Sequence, residues 1–301
     1  MSESAAANPA RVFVAATPAE WLPTRVLHFS IIEHTTIPVE LVGLWELQRS
    51  IPTPCDRENR PRTPFSFQRF LIPEACGFEG RAIYLDSDMQ VFHDIAELWR
   101  HPLKGCALQT TTDGNDGRRG QFSVMLLDCA QLDWNVDRIV ARLDDGSLTY
   151  GALMYEMGLA PSIGRDISAH WNSLERYHPG QTRLLHYTDM NTQPWVSIAN
   201  PLGHLWVACL RRALAAGFIT PDELAREIAH GHVRPSVAAQ IQSAQDDARQ
   251  LNRAARALDR GFWAPYRSIR AGRGSLWGSA RHAATALMRR LRVRLGLRRA
   301  A

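Results

Sequence analysis

RAIYLDSDMQV, residues 81–91, is a short apolar run that ends in two carboxylates spaced i, i+2. Arg81 to Leu85 reads as an apolar, buried strand that runs directly into the acids. Asp86 and Asp88 then stand side by side and repel. A divalent ion such as Mg²⁺ or Mn²⁺ relieves that repulsion and also binds phosphate oxygens, so the pattern suits a nucleotide diphosphate. Aspartate is also a common turn or cap residue at strand ends, and the pair alone leaves both readings open.

Working outward, Arg11 to Ala15 and Val39 to Leu44 read as strands, with a helix from Pro18 through Ser30 between them. The Pro- and charge-rich residues 51–64 form a loop, and Phe65 to Ala75 a helix. Beyond Asp88, Val91 to Arg100 reads as a turn and short helix. Cys106 to Thr110 and Phe122 to Leu127 read as strands separated by the polar loop TTDGNDGRRG, which is long enough to border a site. Helices are expected over Trp134 to Leu143 and Thr149 to Met157, and a strand over Arg183 to Tyr187. Thr220, Pro221 and Glu223 form a capping-box pattern, and a polar helix is expected from about Pro235 to Asp259. Strands alternating with helices imply an α/β fold with a mostly parallel central sheet, in which ligands bind beyond the carboxyl ends of the strands.

The 301 residues, 45% hydrophobic and 22% charged, have globular composition, which excludes a disordered chain. Five scattered cysteines with no CxxC pair give neither a disulfide framework nor a zinc site and read as buried small hydrophobes. No leader pattern opens the sequence and no run of apolar residues is long enough to span a bilayer, so neither a secreted nor a membrane-spanning protein is expected.

Charge is unevenly placed. Residues 260–301 carry 11 arginines and no acid, while the other 24 basic residues share the body with all 30 acids. Leu276, Trp277, Ala280, Ala284, Leu287, Met288, Leu291 and Leu295 recur at three- and four-residue steps with arginines between them, the pattern of a basic amphipathic helix. Such a helix suits an anionic membrane surface. A stripe packed on the body or on a partner subunit is the alternative, and nucleic acid fits less well because no aromatic platform is interleaved. The chain accordingly divides into a flexible 1–10, a domain over 11–210, helices over 211–259 and a basic tail over 260–301.

FSFQRFLIPEACGFEGRAIYLDSDMQVFHDIAELW, residues 65–99, and LLHYTDMNTQPW, residues 184–195, lie in the order found in family 8 glycosyltransferases, which the chain resembles over roughly residues 11–210. The first resembles that family's aromatic–x–Arg helix, strand and DxD; the second its HY(S/T)G–Lys-Pro-Trp segment. HFSIIEHT, residues 28–35, fits the close of its opening βα unit. The resemblance implies a GT-A (Rossmann-like) fold with a C-terminal helical extension. It implies retaining transfer of a sugar from a nucleotide-sugar donor, usually a UDP-sugar, with Mn²⁺ (or Mg²⁺). Asp86, Asp88 and His186 match the metal ligands, Asp86 also lying near the ribose. Arg69 matches the arginine beside the DxD and nucleotide, and Gln121 falls where the family has a sugar-contacting Asn. Trp99 and Trp195 read as core anchors. The acceptor is expected to be a saccharide or a lipid-linked one, at the inner face of the cytoplasmic membrane.

Three departures bear on mechanism. Ala15, Ala16, Thr17 and Pro18 stand where the family's first strand ends in Asp. Thr149, Tyr150 and Gly151 align with its DQDxLN helix, which leaves Glu156, Asp113, Asp116 or the substrate itself to supply the polar group at the reacting carbon. Gln193 replaces the phosphate-binding Lys, with Arg118 and Arg119 the nearest substitutes. These substitutions motivate the alternative of a catalytically inactive nucleotide- or membrane-binding module. A haloacid dehalogenase-type phosphohydrolase also places DxD after a strand. It needs a downstream lysine, and Lys104 stands alone too close to the motif.

Overall fold

The computed structural model describes residues 8–112 and 122–266. Gln121, the loop residues Asp113, Asp116, Arg118 and Arg119, and the tail's apolar stripe lie outside the described residues.

The strands are β1 (Ala10–Ala15), β2 (Val39–Gly43), β3 (Arg81–Asp86), β4 (Met89–Val91), β5 (Leu108–Thr111), β6 (Val124–Asp128), β7 (Ile163–Ile167), β8 (Ser173–Leu174) and β9 (Leu184–His186). Helices α1 (Trp21–His34), α2 (Ile72–Ala75), α3 (Ile95–Trp99), α4 (Val136–Asp144) and α5 (Tyr150–Met154) belong to the α/β part. Helices α6 (Gly203–Ala215), α7 (Pro221–His230), α8 (Ser236–Gln242) and α9 (Arg253–Ala257) extend it. The main sheet has the order β2-β1-β3-β6-β5-β7. The β1–β2, β1–β3 and β5–β7 pairings are parallel, and β6 runs antiparallel to both neighbours. This is the mostly parallel sheet, flanked by helices and extended by C-terminal helices, that the sequence implies.

Its two faces are both buried. Val12, Val14, Ile83, Leu85, Val124 and Leu126 pack against α1 and α3 on one side. Phe13, Ala15, Ala82, Tyr84, Met125 and Leu127 pack against Phe67, Phe70, Trp134 and α4 on the other. That alternation makes β1 and β3 read as unbroken apolar runs. A third core joins Leu22, Val26 and Phe29 of α1 to Trp206, Val207 and Leu210 of α6, so the C-terminal helices pack on the α/β body. Glu33 and Arg212 clamp this junction through two bonds of 2.6 and 2.9 Å.

Several expected elements change. Residues 65–75 form a tight 3₁₀ turn, Gln68–Leu71, followed by the single turn α2. The helix expected from 235 to 259 breaks into α8, a 3₁₀ turn and α9; Ala244, at φ 51°, sits in the left-handed region that no helix continues through. Gln240 bonds the Gln245 and Asp246 carbonyls at 3.1 and 2.9 Å and fixes the break. Strands β7 and β8 and helix α6 add to the elements expected. All five cysteines are free, but Cys55 is exposed, against the expectation of burial, because it lies in the polar 51–64 loop. Trp195 is buried beside Tyr187 and Trp206, as a core anchor should be.

Candidate metal and nucleotide site

A second, three-stranded sheet, β4-β9-β8, builds the site. After β3 ends at Asp86, the chain turns at buried Ser87 and re-enters as β4, which pairs antiparallel with β9. The register sets Met89 opposite His186, and the Tyr187 amide donates to the Asp88 carbonyl at 2.8 Å. His186 is thereby carried to the DxD turn from almost a hundred residues downstream. Its Nε2 lies 3.0 Å from Asp88 Oδ1 and 3.9 Å from Asp86 Oδ2.

Asp86, Asp88 and His186 each offer a ligand atom within 4.8 Å of the others, so the triad has the geometry to hold a metal ion. Two carboxylates and one imidazole form a mainly oxygen donor set, which fits Mn²⁺ or Mg²⁺. On the far side of the ring, His186 Nδ1 lies 2.9 Å from Asn172 Oδ1. With the proton on Nδ1 and donated to Asn172, the Nε2 lone pair faces the carboxylates, the arrangement seen where a second partner orients a metal-bound imidazole. Burial pulls the His186 pKa down, but Asp88, Asp86 and Glu175 outweigh it and hold it above the ordinary value. A cation seated among the three takes the place of that proton.

The carboxylates are steadied individually. Tyr84, two residues back on the same face of β3, donates its hydroxyl to Asp86 Oδ1. Burial holds that phenol well above its ordinary pKa, so it remains a donor. Arg69 is buried beneath the pair, its Nη2 3.6 Å from Asp86 Oδ1 and its guanidinium 4.6 Å from the centre of the Tyr84 ring. It also donates to the carbonyls of Phe122 at 2.8 Å and Ser66 at 3.2 Å, which fixes the cation in place. Gln193 is buried as well, and its amide donates to Asp88 Oδ2 at 2.8 Å and to the Tyr187 carbonyl at 3.0 Å. Glu156 is exposed on the turn after α5, and no hydrogen bond or ion pair joins it to the triad.

Residues outside the motifs complete the site. The end of β1 carries no aspartate, yet Thr17 and Glu20 form a capping box that delivers the Glu20 carboxylate there; Glu20 Oε2 accepts from the Thr17 amide at 2.8 Å. Tyr266, from the start of the basic tail, donates to the same oxygen at 2.8 Å and also meets the Thr17 hydroxyl. Burial raises the Glu20 pKa, its hydrogen bonds to Tyr266 and Thr17 oppose this, and Asp88 adds to the rise, which ties Glu20 electrostatically to the triad. Tyr84 is not singled out in the sequence, although its i, i+2 relation to Asp86 on a strand is a signal that could have found it. Glu20 carries the Thr17-x-x-Glu20 capping signature, which marks a helix start and not a place beside the triad; Asn172 and Tyr266 have no local signal.

No family model matches the chain. Protein CDI of Arabidopsis thaliana is 36% identical over 93 residues, a stretch equal to 30% of this chain and 36% of that protein. The chain therefore matches little more than a third of that relative's length. Among solved structures, the apo form of the glycosyltransferase GlyE from Streptococcus pneumoniae TIGR4 is similar at a TM-score of 0.47 and 18% identity, over 71% of this chain and 65% of that one. The galactosyltransferase LgtC, in complex with donor and acceptor sugar analogues, is similar at a TM-score of 0.47 and 13% identity, over 72% of this chain and 99% of that one. The bifunctional glycosyltransferase WbbM is similar at 0.48 and 12% identity, over 74% and 52%.

Proposed function

We propose that this chain is a metal-dependent glycosyltransferase that moves a sugar from a nucleotide-diphosphate donor, with a UDP-sugar as the expected donor, to a saccharide or lipid-linked acceptor. The observation that carries the reading is the convergence of Asp86, Asp88 and His186 through the β4–β9 register, beyond the carboxyl end of the central strand. The motif resemblance over residues 65–99 and 184–195 supports the sugar-transfer part and implies retention of configuration at the transferred carbon. When bound, Mn²⁺ or Mg²⁺ would supply Lewis acidity that offsets the charge of the departing diphosphate.

The chain's own residues have separable roles in this reading. Asp86, Asp88 and His186 hold the ion. Arg69 and Tyr84 fix the Asp86 carboxylate, while Gln193 fixes Asp88. Glu20 lies at the end of β1, where a ribose or base can be hydrogen-bonded. Gln121 is proposed to touch the donor sugar, and Glu156 is kept as a candidate polar group at the reacting carbon, which a closing motion would have to bring inward.

The basic tail is proposed to hold the enzyme on an anionic membrane surface at the cytoplasmic face. The segment leading into it supports this. Arg253, Arg256 and Arg260 line one groove, Leu258 and Trp263 are exposed, and Asp259, the one acid after Asp247, turns inward to accept from Ser236 at 2.6 and 2.8 Å. None of the described helices is long and apolar enough to cross a membrane.

The test is thermal stabilisation by UDP, GDP, ADP, CMP and UDP-sugars, with and without Mn²⁺, on wild type and Asp88→Ala. A shift for one nucleotide that needs Mn²⁺ and vanishes in the variant is expected, and it names the donor class. No shift with any nucleotide overturns the reading. A shift without consumption of the matching nucleotide-sugar favours the inactive binding module, for which the neutral Gln193 in place of a lysine is the specific observation.

A further inference from the structure

We infer that Glu227, His230 and His232 form a second metal site, selective for a borderline transition ion such as Zn²⁺, on the surface of the C-terminal extension. It lies apart from the Asp86, Asp88 and His186 triad and does not rest on the transferase reading. Glu227 and His230 are three residues apart on α7 and share one face of the helix. Gly231 then takes the left-handed conformation at φ 73° and reverses the chain, and the His232 amide donates to the Glu227 carbonyl at 3.0 Å. The turn folds the second imidazole back over the carboxylate. The His230 and His232 ring centres are 5.3 Å apart, and one ligand atom from each of the three residues lies within 4.8 Å of the others.

The surroundings suit a cation. The ten-residue helix ends here, so its last carbonyls present the negative end of the dipole. Glu227 is only 3% exposed although its helix lies at the surface, and a buried carboxylate requires a partner. Its two oxygens are used differently: Oε1 accepts from Arg226 Nε at 3.1 Å, which anchors the group as an outer partner does at metal sites. Oε2 meets His232 Nδ1 at 2.7 Å. An ion bound between Oε2 and the two rings displaces the proton of that bond. His230 is exposed and leaves an entry path.

Two imidazoles and one carboxylate select Zn²⁺ over Mg²⁺ or Ca²⁺, the reverse of the preference at the carboxylate-rich triad. Three protein ligands leave the fourth position of a tetrahedral ion to water. The ion would tie the end of α7 to the turn that carries Arg234, whose amide donates to the Trp195 carbonyl at 2.8 Å.

The experiment uses the full chain carrying Asp88→Ala, which removes the triad's own contribution, and follows Zn²⁺ by calorimetry and Co²⁺ by its visible absorption. The expected result is one Zn²⁺ per chain with a tetrahedral Co²⁺ spectrum, and an affinity that falls roughly 100-fold or more on adding His230→Ala. Among the described residues the His230 side chain makes no hydrogen bond, so this variant should keep the melting temperature of its parent without metal. His232→Ala is the second variant, expected to give the same loss. No Zn²⁺ binding in the Asp88→Ala chain, or binding that His230→Ala and His232→Ala leave unchanged, overturns the assignment. The nucleotide and Mn²⁺ response of His230→Ala with Asp88 intact should remain that of wild type, so the two readings fail separately.

Discussion

Gln193 donates its amide to Asp88 Oδ2 at 2.8 Å, while His186 Nε2 stands 3.0 Å from Oδ1 of the same carboxylate. Asp88 is thus held from both sides, and the Gln193 amide, itself anchored on the Tyr187 carbonyl, orients the carboxylate. Gln193→Leu keeps the approximate volume and removes the donor. Mn²⁺ affinity should fall roughly 10-fold, the usual scale for losing an outer partner of a metal ligand, while the fold is retained. Electron paramagnetic resonance of free Mn²⁺ during titration reads this directly, and an unchanged affinity would show that the amide does not set the carboxylate.

Asn172 orients His186 in the same manner from behind the ring. Asn172→Ala should lower Mn²⁺ affinity by about 10- to 100-fold. Asn172→Asp restores an acceptor for Nδ1–H and should recover most of the loss. Failure of the aspartate to recover it would point to packing at this position.

The DxD turn was legible because both its causes are local: β3 is buried on two faces, so its apolar run is unbroken, and the acids follow at once. The Thr220 and Glu223 capping box was legible for the same reason, and the structure forms it with both reciprocal bonds. His186 entered only through a motif, since what brings it to Asp88 is the pairing of Met89 with His186, a register that no periodicity encodes. Asn172 arrives through the pairing of β8 with β9, and Tyr266 reaches Glu20 across 246 residues. The polar stretch 235–259 misled because helix propensity is a weak prior, overridden here by the bonds of Gln240 and the left-handed Ala244.

Arg234 is 1% exposed in the C-terminal core. Its Nε donates to the Pro194 carbonyl at 2.8 Å, and its other nitrogens meet Ser236 Oγ and Gln240 Oε1. Burial lowers its pKa to about 10, with Asp259 opposing, so it stays charged at neutral pH. Arg234→Met strands three buried acceptors and should cost about 3 kcal/mol or more in urea unfolding. A loss below about 1 kcal/mol would mean that water or repacking satisfies them.

His28 supplies an acid-sensitive element. It lies on α1 with its ring edge-on to Phe218, 5.2 Å between centres, and burial, then the neighbouring Arg25, lowers its pKa to about 4. An unfolded histidine titrates near 6.5. Between these values the unfolded chain binds the proton and the native one does not, so stability contributed by the neutral ring is full above about pH 6.5 and is lost as pH falls towards 4. That interval corresponds to roughly 2–3 kcal/mol. His28→Phe keeps the aromatic contact and cannot protonate. Chemical denaturation at pH 7 and pH 4.5 should show the wild type losing more stability than the variant by about that amount. Carboxylates that titrate in the same range contribute equally to both chains and cancel in the difference. Equal losses would place the ring's native pKa near its unfolded value and assign the acid sensitivity to other groups.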